Sequence, residues 1–324
     1  MKRSSLAVLG VLVTLGMAAR VAGSGPSDDG TPAGKAASRR SDYHGTLTFA
    51  RDGSGDPFSP QIVVDYDLDT EKLVVRFNGF DARRTPKGET AFLQRLSGGY
   101  VADYGVVAAD TRGVPGAPVF VCRGYSFGMN RICASPKLSH DGKLVAFSTV
   151  SGEGNVCKNG YDMFWGNFVI VSERTGGERR RFEGYYNPEW LPDGRLLMLG
   201  SECRNAGVWI SDASLQTLTR VDGNQIATPA AMPAVNPDGK SVALVWNNQL
   251  WHLTLDGEQT LTQLTQLEKP VSAAAWSPDG EALAVVMWDV SMPVRSLLLF
   301  RPGDESSVEV RQLGFYPFGP VSWR

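Results

Sequence analysis

Four copies of an Asp-Gly turn, each leading into an apolar run, predict an all-β chain: a six-bladed β-propeller with four-stranded antiparallel blades and interlocked N- and C-terminal strands. The turns are Ser139-His140-Asp141-Gly142, Leu191-Pro192-Asp193-Gly194, Asn236-Pro237-Asp238-Gly239 and Ser277-Pro278-Asp279-Gly280, with their Asp positions 52, 45 and 41 residues apart. The runs that follow are Leu144 to Phe147, Leu196 to Leu199, Val242 to Trp246 and Leu283 to Met287. A unit of this length is one small sheet, which must stack on its neighbours to bury its faces.

Residues 1–23 precede that array and read as a signal peptide. Lys2 and Arg3 form a basic start, Leu6 to Met17 is apolar, and Val21-Ala22-Gly23 offers small residues for cleavage. The apolar stretch is too short to span a bilayer comfortably. Residues 24–44, rich in Gly, Ser, Pro, Asp and Arg, read as a flexible tether, leaving 45–324 for the propeller. Gly45 to Ala50, Gln61 to Leu68 and Lys72 to Phe77 are three strands without an inner partner. Pro86-Lys87-Gly88-Glu89 before Ala91-Phe92-Leu93 is a weaker turn and strand, with 101–109 and 117–121 as its outer strands. In the clear repeats, third strands are expected at Asn167 to Val171, Gly207 to Ser211, Gln249 to Leu255 and Ser296 to Phe300. Polar fourth strands follow, as in Glu178 to Phe182 and Gln216 to Arg220. Gly319 to Trp323 matches the approach to Ala275-Trp276-Ser277, so the C-terminal segment is expected as the inner strand of the first blade, removing two open edges.

Pro pre-sets its backbone angle in these turns, Asp bonds locally and Gly accepts a positive φ. Trp190, Trp276 and Trp323 share one register just before the turn, with Leu138 and Val235 in other repeats, and read as inter-blade core. The run Arg179-Arg180-Arg181 reads as a solvated edge.

The formal charge is −2, and removing Lys2, Arg3 and Arg20 makes it −5, which gives no support to nucleic-acid binding. Cys122, Cys133, Cys157 and Cys203 lack the spacing of a zinc or redox site, so no metal and no cofactor is expected. Strand order pairs Cys122 with Cys133 across a blade crossing, and Cys157 with Cys203 between neighbouring blades. The loops they hold share one face and carry Tyr125, Phe127, Arg131, Glu153, Asn155, Lys158, Tyr161, Asp162 and Glu202, a mixture suited to a protein, peptide or glycan partner. A non-enzymatic binding protein, periplasmic or secreted, is the primary expectation, with a structural component of an envelope assembly as one alternative. The other is an enzyme acting on a carbohydrate or small molecule in the central funnel, where Glu153, Asp162, Glu189 and Glu202 are too many carboxylates to choose a pair. His140-Asp141 and Asp52-Gly53-Ser54-Gly55-Asp56 read as turns rather than as a catalytic dyad and a calcium loop.

Trp276-Ser277-Pro278-Asp279-Gly280-Glu281, with Trp190 to Arg195 and Asn236 to Lys240, resembles the repeat of the TolB-like β-propeller family, from which His140 departs where Pro is usual. The resemblance implies a propeller and leaves activity open. It covers the propeller portion only, so no Tol-complex role is expected on that ground.

Overall fold

The computed structural model describes residues 42–52, 61–97, 103–122, 132–150, 167–201, 205–287, 296–313, 315 and 317–324. These form six four-stranded antiparallel sheets. The first combines β1 (Thr46–Asp52), β2 (Gln61–Asp67) and β3 (Leu73–Asn78) with the last strand of the chain, β24 (Pro317–Trp323), in the order β24-β1-β2-β3. The second blade is β4 (Phe80–Arg84), β5 (Thr90–Arg95), β6 (Tyr104–Ala109) and β7 (Phe120–Cys122). The third is β8 (Ile132–Leu138), β9 (Leu144–Val150), β10 (Asn167–Glu173) and β11 (Glu178–Glu183). The fourth is β12 (Tyr185–Trp190), β13 (Leu196–Gly200), β14 (Gly207–Ser211) and β15 (Leu218–Arg220). The fifth is β16 (Ala231–Val235), β17 (Ser241–Trp246), β18 (Gln249–Thr254) and β19 (Leu261–Gln263). The sixth is β20 (Val271–Trp276), β21 (Leu283–Met287), β22 (Ser296–Arg301) and β23 (Asp304–Gln312).

The expected closure is present. Leu47 pairs with Trp323 and Arg51 with Pro317, and Thr46 and Arg324 exchange backbone hydrogen bonds of 2.8 and 3.0 Å. Just ahead of β1, Tyr43 is buried against Trp323 and its hydroxyl donates to the Ser307 carbonyl, tying the first blade to the sixth.

Second strands are continuous apolar runs because they are buried on both faces, and successive side chains enter different cores. In β13, Leu197 and Leu199 join a cluster with Val242 and Leu244 of the fifth blade, whereas Leu196 and Met198 join one with Ala146 and Val171 of the third. In β21, Ala284 and Val286 pack toward the first blade, and Leu283 and Val285 toward the fifth. The three tryptophans seal such seams: Trp190 and Trp276 are 3% and 7% exposed, and their indoles donate to the Lys137 and Ala234 carbonyls of the preceding blades. Trp323, 9% exposed, donates to the His44 carbonyl at 2.9 Å. The arginine run lies on β11, the exposed outer strand, with Arg180 and Arg181 over the Phe182 and Phe168 rings.

Inner strands differ in kind. Their ladders shift register at Phe80/Arg83, Ala134/Lys137, Tyr186/Glu189 and Ala231/Ala234, and within these bulges Asp81, Ser135, Asn187 and Met232 take φ near +50°. Pro136, Pro188 and Pro233 follow three of them, where a missing N–H costs no ladder bond. Adjacent bulges are linked around the channel: the Ser135 N–H donates to Asp81, and the Ser135 hydroxyl donates to Asn187 Oδ1 at 2.7 Å.

Candidate functional site

Strand direction gives the ring two chemically distinct faces. The turns from first to second strand open on one, the turn face. The connections from second to third strand, and those between blades, open on the other, the loop face. On the loop face, Val150 pairs with Asn167 and Gly200 with Gly207, so the segments between them leave and return at one point. The Cys122–Cys133 disulfide, with Cα atoms 5.9 Å apart, clips the crossing from β7 to β8 as the strand order implied. The side chains expected there (Tyr125, Phe127, Arg131, Glu153, Asn155, Lys158, Tyr161, Asp162 and Glu202) lie outside the described residues, as do Cys157 and Cys203. Gly124-Tyr125-Ser126-Phe127-Gly128 spells the letters of a nucleophile elbow and lies outside the described residues. An elbow needs a strand leading into a helix; the described elements that flank the segment are the strands β7 and β8.

On the turn face, the Asp side chains build the turns. Asp141 accepts from the Ser139 hydroxyl at 2.6 Å and the Lys143 N–H at 3.1 Å, and Ser139 Oγ accepts from the Leu144 N–H. Ser277 and Asp279 repeat the pattern. These donors hold both carboxyls below the usual Asp range. His140 points elsewhere, its Nε2 3.4 Å from the Trp190 carbonyl, so it forms no dyad with Asp141. Asn236 donates to the Gly280 carbonyl at 2.9 Å, locking one turn onto the next.

Inside this rim a cavity of about 450 Å³ opens into the channel, walled by Trp190, Trp276, Trp323 and the turn prolines. Arg83, Arg84, Lys137, Glu189 and Arg324 bring charge to it. The register explains the asymmetry. One residue before the tryptophan position stand Arg83, Lys137 and Glu189 in the second to fourth blades, but Ala234, Ala275 and Ser322 in the others. Lys137 is ion-paired to Glu189, so one of the four carboxylates weighed for a funnel enzyme is already engaged. Arg84, Arg76 and Arg324 share one buried acceptor, Asp65 Oδ2, at 2.6, 3.0 and 3.3 Å. Burial pulls the Arg83 guanidinium down to about 10, against the opposing charge of Asp81. Burial also pushes Lys137 well below the usual lysine range, helped by Arg83, and raises the Asp81 carboxyl. Among the described residues, no group of three or more His, Cys, Asp or Glu side chains is placed to hold a metal. Sequence reading missed Asp65, Arg83, Arg84 and Lys137; the available signal was a charged residue one step before the tryptophan register in an otherwise core strand.

No protein-family model matches the chain. A 135-residue stretch is 28% identical to the Tol-Pal system protein TolB of Acinetobacter baylyi, covering 39% of this chain and 30% of that protein. The crystal structure of TolB from Acinetobacter baumannii superposes over 86% of this chain and 66% of its own, with a TM-score of 0.60 and 14% identity. An oligogalacturonate lyase in complex with manganese superposes over 84% of this chain and 74% of its own, at a TM-score of 0.51 and 13% identity. At such identities the superpositions show the fold alone, and one propeller fold hosts binding proteins and enzymes alike. The chain spans less than a third of the curated relative's length. In repeat sequence and in fold, it is a six-bladed β-propeller that resembles the TolB-like propellers.

Proposed function

We propose that the chain is an exported, non-enzymatic binding module that engages a protein, peptide or glycan through its loop face, in the periplasm or outside the cell. The observation that carries this reading is the segregation of connections. The segments 53–60, 123–131, 151–166 and 288–295 all join strand ends at that face, while short Asp-Gly turns occupy the other. A ring sealed by β24 and clipped by Cys122–Cys133 supplies a rigid base for them, which lowers the ordering cost of binding. The disulfide and the basic, apolar start fit an oxidising compartment. Similarity to a Tol-Pal system protein supports a role in binding other proteins, and the Lys137–Glu189 pairing removes one carboxylate from the competing enzymatic reading.

The test is mild crosslinking and affinity purification from the native host, comparing wild type with a Tyr125→Ala/Asp162→Ala variant of equal melting temperature. Loss of a captured partner from the variant supports the loop face. Capture of the same partner by both proteins overturns it. A partner that survives extraction without crosslinking would favour the structural assembly reading.

A further inference from the structure

We propose that the turn-face mouth of the central channel is a binding site for a small organic anion, a carboxylate or phosphate monoester with an apolar body. The site lies on the opposite face from the loops, so it stands independently of the partner proposed there.

Four observations converge on it. The cavity, about 450 Å³, is of the size that takes a small ligand. Four cationic side chains, Arg83, Arg84, Lys137 and Arg324, line it against one carboxylate, Glu189. Counting the groups just behind the wall, five cationic side chains (those four and Arg76) meet three carboxylates, Asp65, Asp81 and Glu189, leaving positive charge uncompensated. Most pointedly, two lining residues that are more than nine-tenths buried have an unpartnered polar atom. Arg83 is 7% exposed and Thr85 8%, and neither Arg83 Nε nor Thr85 Oγ1 has a hydrogen-bond partner among the described residues. An unsatisfied guanidinium N–H and a hydroxyl two residues apart at the end of β4 are unfavourable while unpaired, and each becomes favourable when an anionic oxygen accepts from it.

The rest of the mouth defines the ligand's other end. Trp190, Trp276 and Trp323 have their indole N–H groups committed to backbone carbonyls, so they offer the cavity only apolar surface. The turn prolines extend this wall. A fully polar anion would leave that surface unfilled, and a neutral aromatic would leave Arg83 and Thr85 unpaired. The head is therefore anionic and the body flat or apolar.

The experiment is isothermal titration of the full chain at low ionic strength with benzoate, phenyl phosphate and, as the neutral control, benzyl alcohol. The two anions should bind and benzyl alcohol should not, and the anion preferred identifies the head group as carboxylate or phosphate. Thr85→Val removes only an unbonded hydroxyl and keeps the shape, so its thermal melt should match wild type while anion affinity falls about 10-fold. Arg83→Lys keeps the charge beside Asp81 but removes Nε, and should weaken binding by a similar factor. Failure of both anions to bind at 10 mM overturns the proposal, as does anion binding that both variants leave unchanged, or benzyl alcohol binding as tightly as benzoate.

Discussion

Trp276 offers the sharpest test of how the ring is held together. Its indole is 7% exposed, lies edge-on to His252 with centroids 5.9 Å apart, and donates to the Ala234 carbonyl at 3.0 Å across the seam. A tryptophan buries roughly 150–250 Å², which at about 25 cal/mol per Å² corresponds to about 4–6 kcal/mol of transfer free energy. The alanine side chain recovers a little of this and the cavity partly relaxes, so Trp276→Ala should cost about 3–5 kcal/mol. Trp276→Phe keeps most of the apolar body but removes the N–H and strands a buried carbonyl, a loss of about 1–3 kcal/mol. Urea unfolding followed by circular dichroism, with the slope held common to all three proteins, measures both. An alanine variant within 1 kcal/mol of wild type would show that the indole does not seal the seam. Equal costs for Phe and Ala would show that the hydrogen bond, rather than the buried area, does the holding.

Other outcomes follow from local geometry. Replacing Cys122 and Cys133 together by Ser should lower stability by about 2–3 kcal/mol, since the bridge closes a separation of 11 residues; the same denaturant titration reads it. Gly280→Ala should destabilise more than Gly194→Ala. Both have positive φ, but a Cβ at 280 would meet Asn236 Oδ1 at 2.4 Å whereas one at 194 meets open space, so about 1–2 kcal/mol is expected at 194 and more at 280. Burial lowers the folded-state pKa of His252 below 6.5, so the unfolded chain binds the proton more readily. The stability this residue contributes is complete above pH 6.5 and is lost as pH falls from 6.5 toward the lowered value. His252→Gln should flatten that part of the stability profile, and a slope unchanged by the substitution would contradict it.

The architecture was legible because its defining residues act locally. An Asp that accepts from the N–H two residues after it recurs with the same spacing in all four turns, and so does the doubly buried strand that follows. The sealing strand was legible for a related reason: Gly319 to Trp323 reproduces the approach to a turn. Inner strands were harder to read. Ser135-Pro136, Asn187-Pro188 and Met232-Pro233 argue against a strand unless a bulge is allowed for, and bulges are set by the channel and by neighbouring blades. The charged mouth was the least legible part. Arg84, Arg76 and Arg324 reach Asp65 from three separate strands or strand ends, a meeting that only the closed ring creates. Glu189 could be flagged as a funnel carboxylate from its position, but its lysine partner sits 52 residues away on the preceding blade.

The joint between β1 and β24 also sets a schedule. Trp323 and His44, which meet there, are 279 residues apart in the chain. During synthesis the first strand emerges with its hydrogen-bonding edge bare and stays so while five further blades are made. Its partner arrives in the last few residues. Such a long-range pairing is slow to form and leaves an edge open to wrong neighbours in the meantime. The finished ring hides the edge of β1 behind β24, whereas every half-made form exposes it.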